Sequence, residues 1–256
     1  MKNLSYRIYY VWKRNLTAYK RFILPTLLVS LGEPFFYLIA MGLGLGAYMG
    51  LFGGKPYLFF LASGLVMAST MLTSTFECLY DSYVRMVIEK IYSSLIVTPI
   101  SAEDIVAGDI AWGAFRGIIS GFLMYIIALL MGAAPISLPT LLLLFGLMMV
   151  VGILFGSLAM IVTSFAPNFD FFNYYTQLVV SPIFFFSGVF FPLERFPEGI
   201  RIVAQFSPLT QAVIISRAIF EGRYSFSLYF NLLAIIIPTI IAFYLAIICM
   251  KRRLIK

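Results

Sequence analysis

The sequence predicts an all-α integral membrane protein: six transmembrane helices behind an amphipathic N-terminal helix. Three observations predict it. Of 256 residues, 62% are hydrophobic and 11% charged, and mean hydropathy is +0.98. A soluble domain is roughly half apolar and a quarter charged, so this chain has too little polar surface to be solvated on every side. Six apolar runs are long enough to cross about 30 Å of hydrocarbon at about 1.5 Å per residue. Finally, Lys and Arg collect in alternate connections, as the topology of a multi-span protein requires.

Residues 1–21 come first, as a helix of a different kind. Leu4, Ile8, Val11, Trp12 and Tyr19 share one stripe, with Arg7, Arg14, Arg21, Lys13 and Lys20 roughly opposite. Such a helix lies in the membrane interface, its basic face toward anionic lipid or a cytosolic partner. The remainder, 22–256, is one membrane domain, with spans near 22–48, 57–80, 108–131, 139–164, 174–192 and 228–250. The apolar stretch from Phe22 to Gly46 exceeds a signal peptide's h-region and is read as a retained span.

The first span holds Glu33–Pro34 in an otherwise uncharged run. Pro34 removes an N–H and disfavours α geometry at Glu33, so a kink or local opening is expected there. That makes Glu33 a hinge or pathway residue, or a structural carboxylate satisfied by a neighbouring helix. In the second span Glu77 is expected to snorkel to the headgroups, a pair with Arg116 of the third span being the alternative. Gly113, Gly117 and Gly121, with Gly152 and Gly156 in the fourth span, form small-residue faces for close helix packing. The fifth run is interrupted by Pro182 and ended by Pro192; its many aromatics are read as interfacial belts.

Orientation follows from the basic residues. Six lie in the first 21 positions, Arg85 and Lys90 in the 81–107 connection, and Lys251, Arg252, Arg253 and Lys256 in the tail. That bias puts both termini in the cytoplasm. Net charge of +7 thus marks topology rather than a nucleic-acid partner. Cys78 and Cys249 fall near span ends on the same side, where free thiols are expected.

Chemistry is sparse. There is no histidine, no metal-ligand spacing and no phosphate loop; Gly42, Gly44 and Gly46 lack the Lys-Ser/Thr that one needs. Catalysis by this chain alone is not expected. Active transport would draw on an ion gradient or on another polypeptide.

Two stretches carry a resemblance. Residues 179–222, VVSPIFFFSGVFFPLERFPEGIRIVAQFSPLTQAVIISRAIFEG, resemble the signature of type-2 ABC exporter membrane subunits: a span ending in SG-x-x-F-P, a second proline, then a P-L-T helix with an arginine. Those positions are Ser187, Gly188, Pro192, Pro197, Pro208, Leu209, Thr210 and Arg217. Residues 97–109, VTPISAEDIVAGD, resemble the family's loop between spans two and three. The closest branch is that of lipo-oligosaccharide nodulation-factor and daunorubicin-type drug exporters. The resemblance implies a bacterial or archaeal cytoplasmic-membrane permease, paired with a second copy and with a separate ATPase that carries ATP and Mg²⁺. It also implies short re-entrant helices between spans five and six. Independently of it, Pro99, Ser101 and Asp104 make a plausible helix start. By the resemblance, that short helix near 100–108, with Pro99, Ser101, Glu103 and Asp104, would couple to the ATPase, and Arg7 and Arg14 of the N-terminal helix would give a second contact.

The expected function is ATP-driven export of an amphiphilic cargo (drug, lipid or lipo-oligosaccharide), with Glu33, Pro34, Pro182, Ser187, Gly188 and Pro192 at hinges or along the pathway. The alternative is a gradient-driven secondary transporter or channel that titrates Glu33.

Overall fold

The computed structural model describes residues 5–49, 51–52 and 54–254, apart from the side chains of Val29, Ser30, Leu31, Glu33 and Phe52. Twelve helices account for nearly all of it. They are α1 (Ile8–Tyr19), α2 (Ile23–Ile39), α3 (Gly46–Met49), α4 (Tyr57–Phe76), α5 (Ile91–Ile96), α6 (Ala102–Leu130), α7 (Leu138–Phe165), α8 (Asp170–Tyr175), α9 (Ser181–Phe186), α10 (Glu198–Gln205), α11 (Pro208–Glu221) and α12 (Ser227–Leu254). A two-stranded hairpin, Leu51–Phe52 with Lys55–Pro56, turns the chain from α3 into α4.

Among the described residues, four helices have the length and apolarity to cross a membrane: Tyr57–Ile88, Ala102–Leu130, Leu138–Phe165 and Ser227–Leu254. The first is α4 prolonged by two π-helical segments, Glu77–Asp81 and Val84–Ile88. It is the centre of the bundle; Leu61, Leu65, Val66, Met67, Ala68 and Met71 have no exposed surface. α6 and α7 pack on it, α12 packs on α7, and α1 lies along the first turns of α6.

Glycine sets how near these helices come. A Cβ on Gly117 would lie 2.7 Å from the Thr70 carbonyl oxygen, and one on Gly113 2.6 Å from the Cys78 sulfur. Gly121 meets Val66 and Thr70 in the same way, and Gly152 faces the backbone of Ala114. Gly156 also opens toward Cys78. Backbone-to-backbone approach of this kind replaces the hydrophobic driving force that lipid cannot supply.

Two expectations are corrected here, and a third is narrowed. α2 runs unbroken through Pro34, so the helix does not open there, and the departure from α geometry comes a turn later, in the π segment Ala40–Leu45. One proline inside a helix flanked by other helical turns need not open it, because the freed carbonyl can be met by a neighbour; Glu33's side chain lies outside the described residues. The helix also does not break at Pro182: α8, the π segment Thr176–Val180 and α9 follow one another without a gap, and the chain leaves helix only at Ser187. The π winding falls where the proline's missing N–H leaves an α-helical carbonyl without a partner. Lastly, no separate short helix occupies 100–108. α6 starts at Ala102 and continues into the bundle, while the short helix of this connection is α5, reached through Lys90 at φ +53°.

Candidate functional site

The functional geometry lies in a charged cluster at one end of the bundle, a polar groove on its flank and a turn at the other end.

The charged cluster is built on the first turns of α6. Ser101 and Asp104 form a capping box: the Asp104 N–H donates to Ser101 Oγ at 3.1 Å and the Ser101 N–H to Asp104 Oδ2 at 3.3 Å. The same carboxylate accepts from the Ser5 N–H at 2.8 Å and its hydroxyl at 3.2 Å, and Arg7 donates to the Pro99 carbonyl. Glu103 pairs with Lys251 at 2.7 Å. Pro99, Ser101, Asp104 and Arg7 thus come together, but Glu103 and Asp104 are buried, with their oxygens turned to the chain's two ends instead of to solvent.

Two turns on, Asp109 has no exposed surface. Asn15 Nδ2 of α1 donates to it at 2.6 Å, and the Tyr92 hydroxyl of α5 also donates to it. Arg85 Nε of the prolonged α4 lies 3.3 Å away. Burial and the Asp109 carboxylate push the Tyr92 phenol well above its ordinary value, which keeps it a donor. Glu77, also buried, joins Arg116 at 2.7 Å and Arg85 at 2.9 Å, and accepts from Trp112 Nε1 at 2.9 Å. The expected snorkelling of Glu77 is overturned: two guanidiniums and an indole hold it inside. Two carboxylates and two guanidiniums thus tie the prolonged α4 to α6, and the neutral Asn15 and Tyr92 bring in α1 and α5, the arrangement a buried ion needs to offset its desolvation. The π turn makes this possible. In an α-helix Glu77 and Ser82 would point about 140° apart; π winding brings them to one face, where Ser82, Arg85 and Glu77 interconnect.

α1 supplies the rest of the wall. Its Val11, Asn15 and Tyr19 are buried, Trp12 packs edge-on to Trp112 and Phe115, and the Arg116 guanidinium sits 4.6 Å from the Tyr19 ring. Lys13, Lys20 and Arg21 face outward. Leu4 lies outside the described residues.

On the flank, α8–α9 and the face of α4 border a groove of ≈ 500 Å³ lined by Leu72, Phe76, Tyr80, Asn173, Thr176, Gln177, Ser181 and Phe184. Asn173, Gln177 and Ser181 recur every fourth residue, and Asn173 and Gln177 are exposed. α2 borders the same flank through Tyr37, whose ring meets Phe184, Phe185 and Phe190.

At the far end, Ser187 Oγ lies 3.1 Å from Ser207 Oγ, and Gly188 turns with φ +76°. Arg217 of α11 donates to the Gly188 carbonyl and stacks 3.6 Å from the Phe60 ring. Tyr57 donates to the Phe190 carbonyl at 2.8 Å. Val189 fits against Gly64, where a Cβ would meet the Val189 Cα at 3.0 Å. The motif residues Ser187, Gly188 and Arg217, scattered over thirty positions, close one turn; Pro192 follows it as the cap of a short 3₁₀ turn. α10 and α11 then meet at 84°.

A family model described as "ABC-2 type transporter" matches residues 6–221, which include the Asp109 cluster, the groove and this turn. The chain belongs to the ABC-2 type transporter family. It is 34% identical over 246 residues to Nodulation protein J of Sinorhizobium fredii, covering 96% of this chain and 93% of that one. It is 35% identical over 248 residues to Nodulation protein J of Rhizobium leguminosarum bv. trifolii, with 96% and 93% covered. Inner membrane transport permease YadH of Escherichia coli is more distant, 23% identical over 235 residues, with 92% and 90% covered. The chain is an ABC-2 transporter permease, a membrane protein built of transmembrane helices.

The sequence reading passed over Asn15, Arg85, Tyr92, Asp109 and Trp112, and the stripe Asn173, Gln177, Ser181. Two of these left a signal: an amide on an otherwise apolar stripe of α1, and polar residues four apart in an apolar run. Arg85, Tyr92 and Trp112 gave none, because their partners lie on other helices.

Proposed function

We propose that this chain is the membrane subunit of an ATP-driven exporter in the bacterial or archaeal cytoplasmic membrane, acting as a pair with a separate ATPase bound on the cytoplasmic side. The four long helices, α2–α3 and α8–α9 make six spans. Both termini face the cytoplasm, since the end of the bundle holding α1, α5 and the tail carries most of the Lys and Arg. The 84° pair α10–α11 dips back into the outer leaflet and caps the pathway.

The observation that carries this reading is the groove. Asn173 and Gln177 are exposed on the continuous helical run from α8 to α9, and amides facing lipid would lack hydrogen-bond partners. They therefore face the second copy, across a pathway whose aromatic walls (Phe76, Tyr80, Phe184) suit an amphiphile: drug, lipid or, as the family resemblance implies, a lipo-oligosaccharide. Asn173→Leu with Gln177→Leu should leave membrane insertion intact and reduce ATP-dependent uptake into inside-out vesicles at least several-fold. Unchanged uptake would place the pathway elsewhere.

ATPase docking falls on the tip of the 84–98 connection. Val87, Ile88, Ile96 and Val97 are exposed there, Val97 at 86%; bare aliphatics at a cytosolic tip imply a covered state. Val97→Asp should release a co-purifying ATPase. Glu103→Gln, which loses only the Lys251 pair, should retain it. Retention by both variants would remove α5 from the docking surface. Flux driven by an ion gradient without ATP would replace the whole reading.

A further inference from the structure

A cavity of ≈ 560 Å³ opens at the elbow between α1 and α2, lined by Arg14, Tyr19, Phe22 and Thr26 on one side and by Asp81, Arg85, Glu89, Trp112 and Arg116 on the other. We propose that it binds the headgroup of a zwitterionic aminophospholipid drawn from the surrounding bilayer, phosphate on Arg14 and ammonium on Glu89. The inference rests on placing this end of the bundle at the inner interface, but it goes beyond the transport reading and is independent of the cargo.

Three observations point to that ligand. Most charges in the cavity are already matched: Glu77 by Arg85 and Arg116, and Arg85 by Asp109 as well. Arg14 is not. Its Nη2 donates to Asn15 Oδ1 at 2.6 Å, while Nη1 is shut off from solvent with no acceptor. Burial holds this guanidinium below its ordinary pKa, which an anion in the cavity would reverse. Orphaned buried donors of this kind call for a partner, and a phosphate ester supplies strong acceptors.

The second observation is the opposite wall. Glu89 faces the opening and is exposed, while the Asp81 carboxyl beside it is hydrogen-bonded to Glu77. A simple anion would meet the repulsion of Glu89, whereas an ammonium beside the phosphate pairs with it. The third is the approach. Phe22, Ile23, Leu24 and Leu28 lead away from the elbow, exposed by 65%, 46%, 66% and 65%. They give acyl chains an apolar track that starts at the cavity mouth, at the depth where an in-plane helix such as α1 meets the headgroups.

The chain reports on this site itself. It has two tryptophans; Trp112 lines the cavity and Trp12 packs against it. The permease, with any ATPase that purifies with it, is reconstituted in phosphatidylcholine vesicles. These are doped with phosphatidylethanolamine, phosphatidylglycerol or phosphatidylcholine brominated close to the ester, and tryptophan quenching is measured. The phosphatidylethanolamine analogue should reach half-maximal quenching at roughly a tenfold lower mole fraction than the other two, the gain from adding charge-assisted hydrogen bonds at both ends of the headgroup. Arg14→Gln should abolish the preference. Glu89→Gln, a change at the exposed rim that leaves the buried cluster intact, should narrow the preference over phosphatidylcholine and supplies the test if Arg14→Gln does not fold. Equal quenching by all three lipids, a preference for phosphatidylglycerol, or an undiminished preference in the variants would overturn the proposal. Because the assay needs no ATP or cargo, its failure is separable from failure of the transport reading.

Discussion

Glu77→Ala is expected to prevent accumulation of a stable, transport-competent permease, while Glu77→Gln retains part of it. The wild-type carboxylate is 3% exposed and is shared by Arg85, Arg116 and Trp112 within 2.9 Å. Alanine removes the carboxylate that both guanidiniums share and leaves a void in its place, with Asp109 still beside Arg85. Removing one partner of a buried ion pair costs about 3–5 kcal/mol, a large part of the whole stability of a typical domain. Glutamine keeps one acceptor oxygen, which serves Arg85 and Trp112 or Arg116 but not both sides, and it turns an NH2 toward the other donor, so it should fall between the two. Yield of monodisperse protein, its melting temperature in detergent and vesicle uptake give the ranking. The effect should spread to α1, which is held by Asn15–Asp109 and by Tyr19 against Arg116, so protease sensitivity of residues 5–22 should rise in Glu77→Ala. A stable Glu77→Ala protein with native transport would mean the cluster is a by-product of packing.

The same cluster shows what a single sequence displays and what it hides. Spans were legible because an apolar run is a local property, and the start of α6 was legible because Ser101 and Asp104 make a capping box three residues apart. The N-terminal helix was legible from its stripe, and the motif positions Ser187, Gly188 and Arg217 do converge. Glu77 was misjudged for a physical reason. Whether a carboxylate near a span end snorkels or pairs depends on what sits on the next helix and on the winding of its own. The π turns at Glu77–Asp81 and Val84–Ile88, which turn Arg85 back toward Glu77, leave no mark in composition. Conversely Glu33–Pro34, the most conspicuous feature of the sequence, leaves α2 continuous. A proline's cost is set by what can satisfy the freed carbonyl, and that too belongs to the neighbouring helices. Asp104 was identified as a helix start, but its role as the anchor for Ser5 required the fold to bring residues 99 positions apart together.

Gly117→Ala should be among the most damaging single methyls that can be added to the bundle interior, and Gly146→Ala should not destabilise it. A methyl on Gly117 would stand 2.7 Å from the Thr70 carbonyl oxygen and 3.3 Å from both Ser74 Cβ and Thr70 Cγ2. Two of those contacts are side-chain atoms that have little room, and the first is backbone, so relief requires α6 to move off α4. Overpacking of this sort costs about 1–3 kcal/mol. Here the displacement would also pull on the charged cluster, since Asp109 and Arg116 ride on the same helix as Gly117. Gly146 on α7 has open space where its Cβ would go, and alanine there gains helix propensity of about 1 kcal/mol over glycine. The pair separates two explanations for the glycines of these spans: helix flexibility predicts that both substitutions matter, close approach predicts that only Gly117→Ala does. Thermal unfolding in detergent, followed by vesicle uptake for whatever remains folded, distinguishes them. Equal melting temperatures for the two variants would show that α6 can shift off α4 at no cost, and the stripe Gly113, Gly117 and Gly121 would then not be what sets the spacing at the centre of the bundle.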